Sequence, residues 1–274
     1  MTRSTRSGSE DLPSEVPVAS QSDGIFDAHL HIIDPRFPVI PNTGFEPAPF
    51  TVDDYRVATQ TLNVTGGAVV SGSFQGFDQT YLVDALRRLG DGFVGVTQLP
   101  GDVPDETIEE LDRAGVRALR FNVYRGGPAV LDDLEKLARR AHSVAGWHAE
   151  LYVDASDLPQ LAPVLGRLPQ VVIDHLGMSD DHSGTLLNLV ARGAVVKASG
   201  FGRIDLEDPD KLMARILELN PGGLIFGTDL PSTRARIPFR RDDVRRVRRA
   251  IGPAHARVVF HDNALRLYRE GRAP

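Results

Sequence analysis

Ile25-Phe26-Asp27-Ala28-His29-Leu30-His31 opens as an apolar run and ends in two histidines two residues apart. Strand side chains alternate faces, so the spacing predicts that Asp27, His29 and His31 share one face. Two imidazoles at the C-terminal end of a strand can grip a metal ion or a substrate oxygen. An isolated pair of this kind is short and weakly specific, so its context decides how it is read.

The same design recurs down the chain. Apolar runs begin at Gly67, Phe93, Val116, Trp147, Val171, Ala194 and Leu224, and each is followed by a stretch with helical periodicity. Eight strand–helix units in about 250 residues match the count and size of a (β/α)8 TIM barrel, the α/β class with parallel strands inside and helices outside. An open doubly wound sheet would call for a glycine-rich phosphate turn after the first strand, and no G-x-G-x-x-G follows it here. A final helix over 261–269 is expected to pack outside the barrel. The proline- and glycine-rich loop from Asp34 to Pro49 is long enough to form a pocket wall or lid. Residues 1–23 are rich in Ser, Pro and charge and poor in large apolar groups, so they read as a disordered tail before a single domain at 24–274.

Composition narrows the function classes. The 274 residues carry a net charge of −6, which disfavours nucleic acid and anionic membrane surfaces. There is no cysteine, so disulfides, thiolate metal sites and cysteine nucleophiles are excluded. No apolar run approaches a membrane span, and the tail lacks the apolar centre of a secretory signal. A cytoplasmic location is the default expectation. Oligomeric state is open.

Barrel active sites lie at the C-terminal strand ends. Those ends read His29 and His31, Ser71 and Ser73, Gln98, Arg120 and Asn122, Tyr152, His175, Lys197 with Ser199, and Asp229. Polar groups fill nearly every end while the strand bodies are mainly apolar. A third imidazole, His175, lifts the histidine pair above coincidence. Asp229 can serve as a general base or a metal ligand, or merely as a turn former. Arg120 offers a carboxylate fork, or an internal salt bridge to an acid such as Glu150. Arg125 and Arg203 lie in the loops after the fourth and seventh strands. His148 sits four residues before Tyr152, about 13 Å below the rim at ~3.3 Å per residue, and reads as a packed histidine. By strand parity Asp174 faces away from His175 and is structural. His142, His182, His255 and His261 read as solvated.

Together these residues resemble the amidohydrolase superfamily, in the branch that includes 2-pyrone-4,6-dicarboxylate lactonase. The likeness rests on Phe26-Asp27-Ala28-His29-Leu30-His31, Val116-Arg117-Ala118-Leu119-Arg120-Phe121-Asn122 and Val172-Ile173-Asp174-His175-Leu176-Gly177. It continues through Val196-Lys197-Ala198-Ser199-Gly200, Phe226-Gly227-Thr228-Asp229-Leu230-Pro231 and Asp262-Asn263-Ala264-Leu265-Arg266-Leu267-Tyr268. The resemblance implies a hydrolase that opens a small carboxylated lactone or similar cyclic ester. Asp229 would activate water, and His29, His31 and His175 would polarise the carbonyl. Arg120 and Tyr152, with Arg203, Arg125, Ser73 and Lys197, would hold the substrate, and Lys197 could add positive potential or pair with Asp229. Zinc-dependent members use a fourth-strand lysine or a fifth-strand histidine. Arg120 and Tyr152 stand at those ends, so the expectation is a metal-independent site without cofactor. The alternative is a mononuclear zinc decarboxylase, or another amidohydrolase on the same scaffold, holding one zinc on His29, His31, His175 and Asp229. A second alternative is a non-catalytic carboxylate-binding barrel. Where the family often has Trp-Pro-His after the aspartate, this chain has Leu230-Pro231-Ser232.

Overall fold

A computed structural model describes residues 24–41, 44–126 and 129–270. The expected tail at 1–23 lies outside the described residues. The strands are β1 (Ile25–Leu30), β2 (Val64–Val70), β3 (Phe93–Thr97), β4 (Val116–Asn122), β5 (His148–Tyr152), β6 (Val171–Ile173), β7 (Val195–Ala198) and β8 (Leu224–Phe226). All neighbouring pairs are parallel, in the order β1 to β8. The helices that follow them are α1 (Val52–Thr59), α2 (Thr80–Leu89), α3 (Asp105–Arg113), α4 (Ala129–Ala145), α5 (Leu158–Leu165), α6 (Ser183–Ala191), α7 (Pro209–Leu219) and α8 (Arg241–Ile251). The barrel closes where Asp229 N donates to His29 O (2.7 Å) and His31 N to Leu230 O (2.8 Å). Gly227 makes that seam possible. A Cβ there would sit 2.7 Å from the Cβ of His29, so only glycine lets the end of β8 approach β1.

Two apolar layers hold the fold. Leu, Ile and Val from the outer strand faces pack against the helices, and a smaller inner cluster fills the barrel with Phe26, Ala28, Ala68, Val70, Val94, Val96, Ala118, Val172, Val195 and Ile225. Local signals agree with this plan. Thr51 caps α1 in a reciprocal box with Asp54, and Asp208 caps α7 ahead of Pro209.

The structure corrects three expectations. The C-terminal segment does not lie outside. Ala264 and Tyr268 belong to the inner cluster, and Tyr268 stacks on Phe26 at 5.5 Å, so this segment plugs the barrel floor. Asp27 does not share a face with His29 and His31. The β1–β2 register shifts between Asp27 and Leu30, and a bulge of that kind resets the alternation. Phe26 and Ala28 therefore point inward, while Asp27 reaches the Tyr55 hydroxyl on α1 (3.0 Å). Strands β6 and β8 also stop short of the expected ends, at Ile173 and Phe226.

Candidate active site

His175 and Asp229 lie just past those strand ends, in left-handed backbone at φ 51° and 62°. Such conformations are strained for residues with a Cβ and cluster at functional sites. The turn after β6 also corrects the parity argument for Asp174. Leaving the strand there swings both Asp174 and His175 toward the barrel axis. Gly200 makes room for that imidazole, since a Cβ on Gly200 would lie 2.6 Å from His175 Nδ1.

Three imidazoles surround one oxygen. The Nε2 atoms of His29, His31 and His175 lie 3.7, 3.8 and 3.9 Å from Asp229 Oδ1. These separations exceed hydrogen-bond length. Asp229 Oδ1 and His29 Nε2 are both buried without a hydrogen-bond partner. Asp229 Oδ2, in contrast, is gripped by Arg203, whose Nε lies 2.8 Å and Nη2 2.6 Å away. Burial, then the neighbouring His29 and Arg120, hold the His31 imidazolium pKa well below its ordinary value. Burial, His29 and Arg203 do the same for His175. Both rings are therefore neutral near pH 7. His31 Nδ1 lies 2.7 Å from Val70 O, and a carbonyl only accepts, so Nδ1 carries the proton and Nε2 is bare.

A layer of buried charge lies behind these groups. Asp174 Oδ2 takes Arg120 Nη2 at 3.0 Å, and Oδ1 lies 3.3 Å from His29 Nδ1. Burial pushes the Asp174 carboxyl up, but Lys197, His29 and Arg120 together hold it well below the usual carboxylate range. Lys197 is fully buried beneath the site, paired with Glu150 and 3.4 Å from Asp174 Oδ1. It does not line the pocket, which corrects its placement among substrate contacts and the suggested pairing with Asp229.

The pocket above has about 360 Å³ of space, its open mouth included. His31, His175, Arg120, Tyr152, Arg203 and Ser73 line it. His29 and Asp229 form its fully buried back wall. The side chain of Arg125 lies outside the described part of the chain. His148 is buried as expected, with Nε2 3.1 Å from Glu150 Oε1.

Gly72, Asn122, Phe74, Thr233 and Arg234 complete the lining. Asn122 was legible as a strand end two residues beyond Arg120, on the same face. Arg234 had no periodic signal, because it sits at φ 61° in the loop after β8 with its guanidinium 4.3 Å from the Phe45 ring. That loop is laced to the one after β7 by Arg203 Nη2 to Thr233 O (2.9 Å) and Arg236 N to Gly202 O (3.0 Å). Three arginines line the pocket, Arg120 paired with Asp174, Arg203 with Asp229, and Arg234 at its rim, so positive groups face an entering anion. His29, His31 and Asp229 place ligand-type atoms within 4.8 Å of one another, as do His29, Asp174 and His175, so either set has the donors to reach one cation.

Acid, imidazoles and guanidinium groups converging on the C-terminal mouth of a (β/α)8 barrel define the site of a barrel enzyme. The chain belongs to the amidohydrolase family, whose model, described as Amidohydrolase, matches residues 26–269. It is 31% identical over 166 residues to a 2-pyrone-4,6-dicarboxylate hydrolase of Comamonas testosteroni, covering 59% of this chain and 54% of that one. The chain thus matches about half the length of that relative. It is 24% identical over 238 residues to 4-sulfomuconolactone hydrolase of Rhizobium radiobacter, covering 80% of each. A probable 2-pyrone-4,6-dicarboxylic acid hydrolase of Acinetobacter baumannii, solved with citric acid bound, has the same fold at a TM-score of 0.76. Identity there is 22%, over 89% of this chain and 99% of that one. Among the described residues, no helix is long and apolar enough to cross a membrane.

Proposed function

We propose that the chain is a lactone hydrolase acting on small carboxylated cyclic esters, with Asp229 as general base. The observation that carries this reading is the single free oxygen of Asp229, ringed by three imidazole Nε2 atoms at 3.7–3.9 Å. One water-sized atom bridges separations of that length. Asp229 takes a proton from water as the water oxygen bonds to the lactone carbonyl carbon. An imidazole Nε2–H that faces the oxygen on which negative charge develops stabilises it, while the bare Nε2 of His31 can accept from the water. The ring C–O bond then breaks, and the departing ring oxygen regains the proton from Asp229. Arg234, Arg203 and Arg120 favour a substrate carrying its own acid group. Both sequence relatives named above are hydrolases of cyclic esters bearing acid groups, and the Acinetobacter protein was solved with a tricarboxylate.

The reaction runs without a resident metal in this proposal. What supports that is the charge around the donors. Arg203 already occupies Asp229, Arg120 and Tyr152 stand at the ends of β4 and β5, and Lys197 lies 3.4 Å from His29 Nδ1. A divalent cation placed among the imidazoles would face these positive groups, which fits zinc poorly.

The test is a panel of carboxylated lactones followed by ring opening, with and without a strong chelator. Ring opening unchanged by chelator is expected. Release of CO2 that depends on added zinc would support the decarboxylase instead. Tight binding of carboxylates with no turnover would support a non-catalytic barrel.

A further inference from the structure

The buried charge beneath the pocket bears on which nitrogen of His29 holds its proton. Lys197 lies on β7 with no solvent exposure. Its ammonium hydrogen-bonds Glu150 and lies 3.4 Å from both Asp174 Oδ1 and His29 Nδ1. Glu150 is itself fixed from below, accepting from the Tyr268 hydroxyl at 2.5 Å and meeting His148 Nε2 at 3.1 Å. Tyr268 comes from the segment that plugs the barrel floor, so the lysine is aimed by the far end of the chain.

Two groups compete for His29 Nδ1. Asp174 Oδ1 is 3.3 Å away and would accept a proton from it, whereas Lys197 Nζ would donate one to it. A ring N–H points in one fixed direction, in the plane of the imidazole, whereas an ammonium turns to suit its neighbours. The fixed direction misses the aspartate, since Asp174 Oδ1 receives no hydrogen bond. The lysine contact does satisfy hydrogen-bond geometry. Nδ1 is then the acceptor. Burial lowers the affinity of His29 for a second proton and outweighs the opposing pull of the Asp174 carboxylate, with Lys197 and Arg120 acting in the same sense as burial.

We propose that Lys197 is a positioning residue that fixes His29 as its Nε2–H tautomer, a hydrogen-bond donor aimed at the reacting oxygen. Asp229 Oδ1 lies 3.7 Å from that Nε2, across the space assigned to the chemistry. His31 has the opposite tautomer, its Nδ1 proton given to Val70 O and its Nε2 bare. The site therefore presents one donating and one accepting imidazole side by side, their ring centroids 5.0 Å apart. The tautomer follows from the contacts alone. The role of the donor, stabilising the lactone oxyanion, rests on the proposed function. A zinc ligand would need the reverse, with Nε2 bare and Nδ1 donating to a carboxylate behind it.

Long-range 15N–1H NMR of the wild-type protein reads the tautomer directly, with the His29 ring assigned by its loss in His29→Gln. The expected signature is a protonated Nε2 and a bare Nδ1 for His29, and the reverse for His31. A His29 ring protonated on Nδ1 overturns the proposal. Lys197→Met supplies a second readout, since loss of the ammonium leaves Asp174 as the partner for Nδ1. The variant should show the flipped tautomer, bind zinc about 10-fold or more tightly in competition with a coloured chelator, and lose about 10²-fold in kcat at little changed KM. Wild-type tautomer and wild-type kcat in the variant would refute the role of the lysine. If Lys197→Met does not fold, the wild-type spectrum still decides. If the wild-type protein opens no lactone, the functional reading fails while the spectrum stands.

Discussion

Arg203 closes its fork on a single oxygen of Asp229, with Nη2 2.6 Å and Nε 2.8 Å from Oδ2, and leaves Oδ1 turned to three imidazoles. Asp229→Asn should keep this geometry. The guanidinium only donates, so it holds the amide oxygen and forces the NH2 group into the place of Oδ1. The base is then replaced by a donor. We expect kcat to fall ~10²–10⁴-fold with KM changed only a few-fold, measured by steady-state kinetics on the best lactone. A near-normal kcat would transfer the base role to His31, whose Nε2 is bare.

Arg120→Met should unfold the protein more easily as well as weaken substrate binding. Arg120 is nearly buried and its Nη2 lies 3.0 Å from Asp174, which has no exposure at all. Its Nη1 also donates to Ser71 O at 2.9 Å. Removing the arginine leaves Asp174 with only its longer contacts to Lys197 and His29, and breaking a buried pair costs about 3–5 kcal/mol. In a domain of this size that lowers Tm by about 10 °C. An unchanged Tm in a thermal melt would show that Asp174 is satisfied without the arginine.

Period and parity carried the sequence reading far. Strand ends predicted the placement of His31, Arg120, Tyr152 and His175, because apolar alternation fixes which end of a parallel strand reaches the mouth. Parity failed at two places where the backbone leaves regular geometry. The bulge between Asp27 and Leu30 sends Asp27 outward. The turn after Ile173 brings Asp174 inward, where it meets Arg120. Lys197 and Glu150 lie on regular strands, so their inward direction was readable, but their depth and mutual pairing depend on spacing between strands five and seven. Arg234 sits in an irregular loop, where no pattern assigns a side chain to a pocket.

Arg234→Met should raise KM about tenfold or more for carboxylated substrates. Arg234 lies at the pocket rim, partly exposed, with its guanidinium 4.3 Å from the Phe45 ring. A charge-assisted contact with substrate acid exists before and during reaction, so its loss appears in KM rather than kcat. An uncharged lactone serves as control and should show equal KM in both proteins. A KM shift for both substrates alike would indicate that the loop had moved.

Asp27 gives a prediction about stability and pH. It is fully buried on the outer face of β1, and burial pushes its carboxyl pKa up to about 6, against hydrogen bonds from Thr228, His29 N and Tyr55 that lower it. Between about pH 4 and 6 the folded protein therefore keeps a proton that the unfolded chain has released. The contribution of Asp27 is fully present below the unfolded pKa and is lost as pH rises through 6. Raising the carboxyl from its ordinary range to about 6 corresponds to roughly 3 kcal/mol. The neutral imidazoles of His29, His31 and His175 act in the opposite sense. Their folded pKa values are lowered, so the unfolded chain binds protons first and stability is lost as pH falls below about 6.5. The two effects overlap in wild-type protein, and Asp27→Asn separates them by deleting only the first. Urea unfolding of both proteins from pH 4.5 to 7.5 should show wild-type stability falling relative to the variant by most of those 3 kcal/mol as pH rises. A difference that stays flat across that range would mean that Asp27 is ionised throughout, held by Thr228 and Tyr55 strongly enough to cancel its burial.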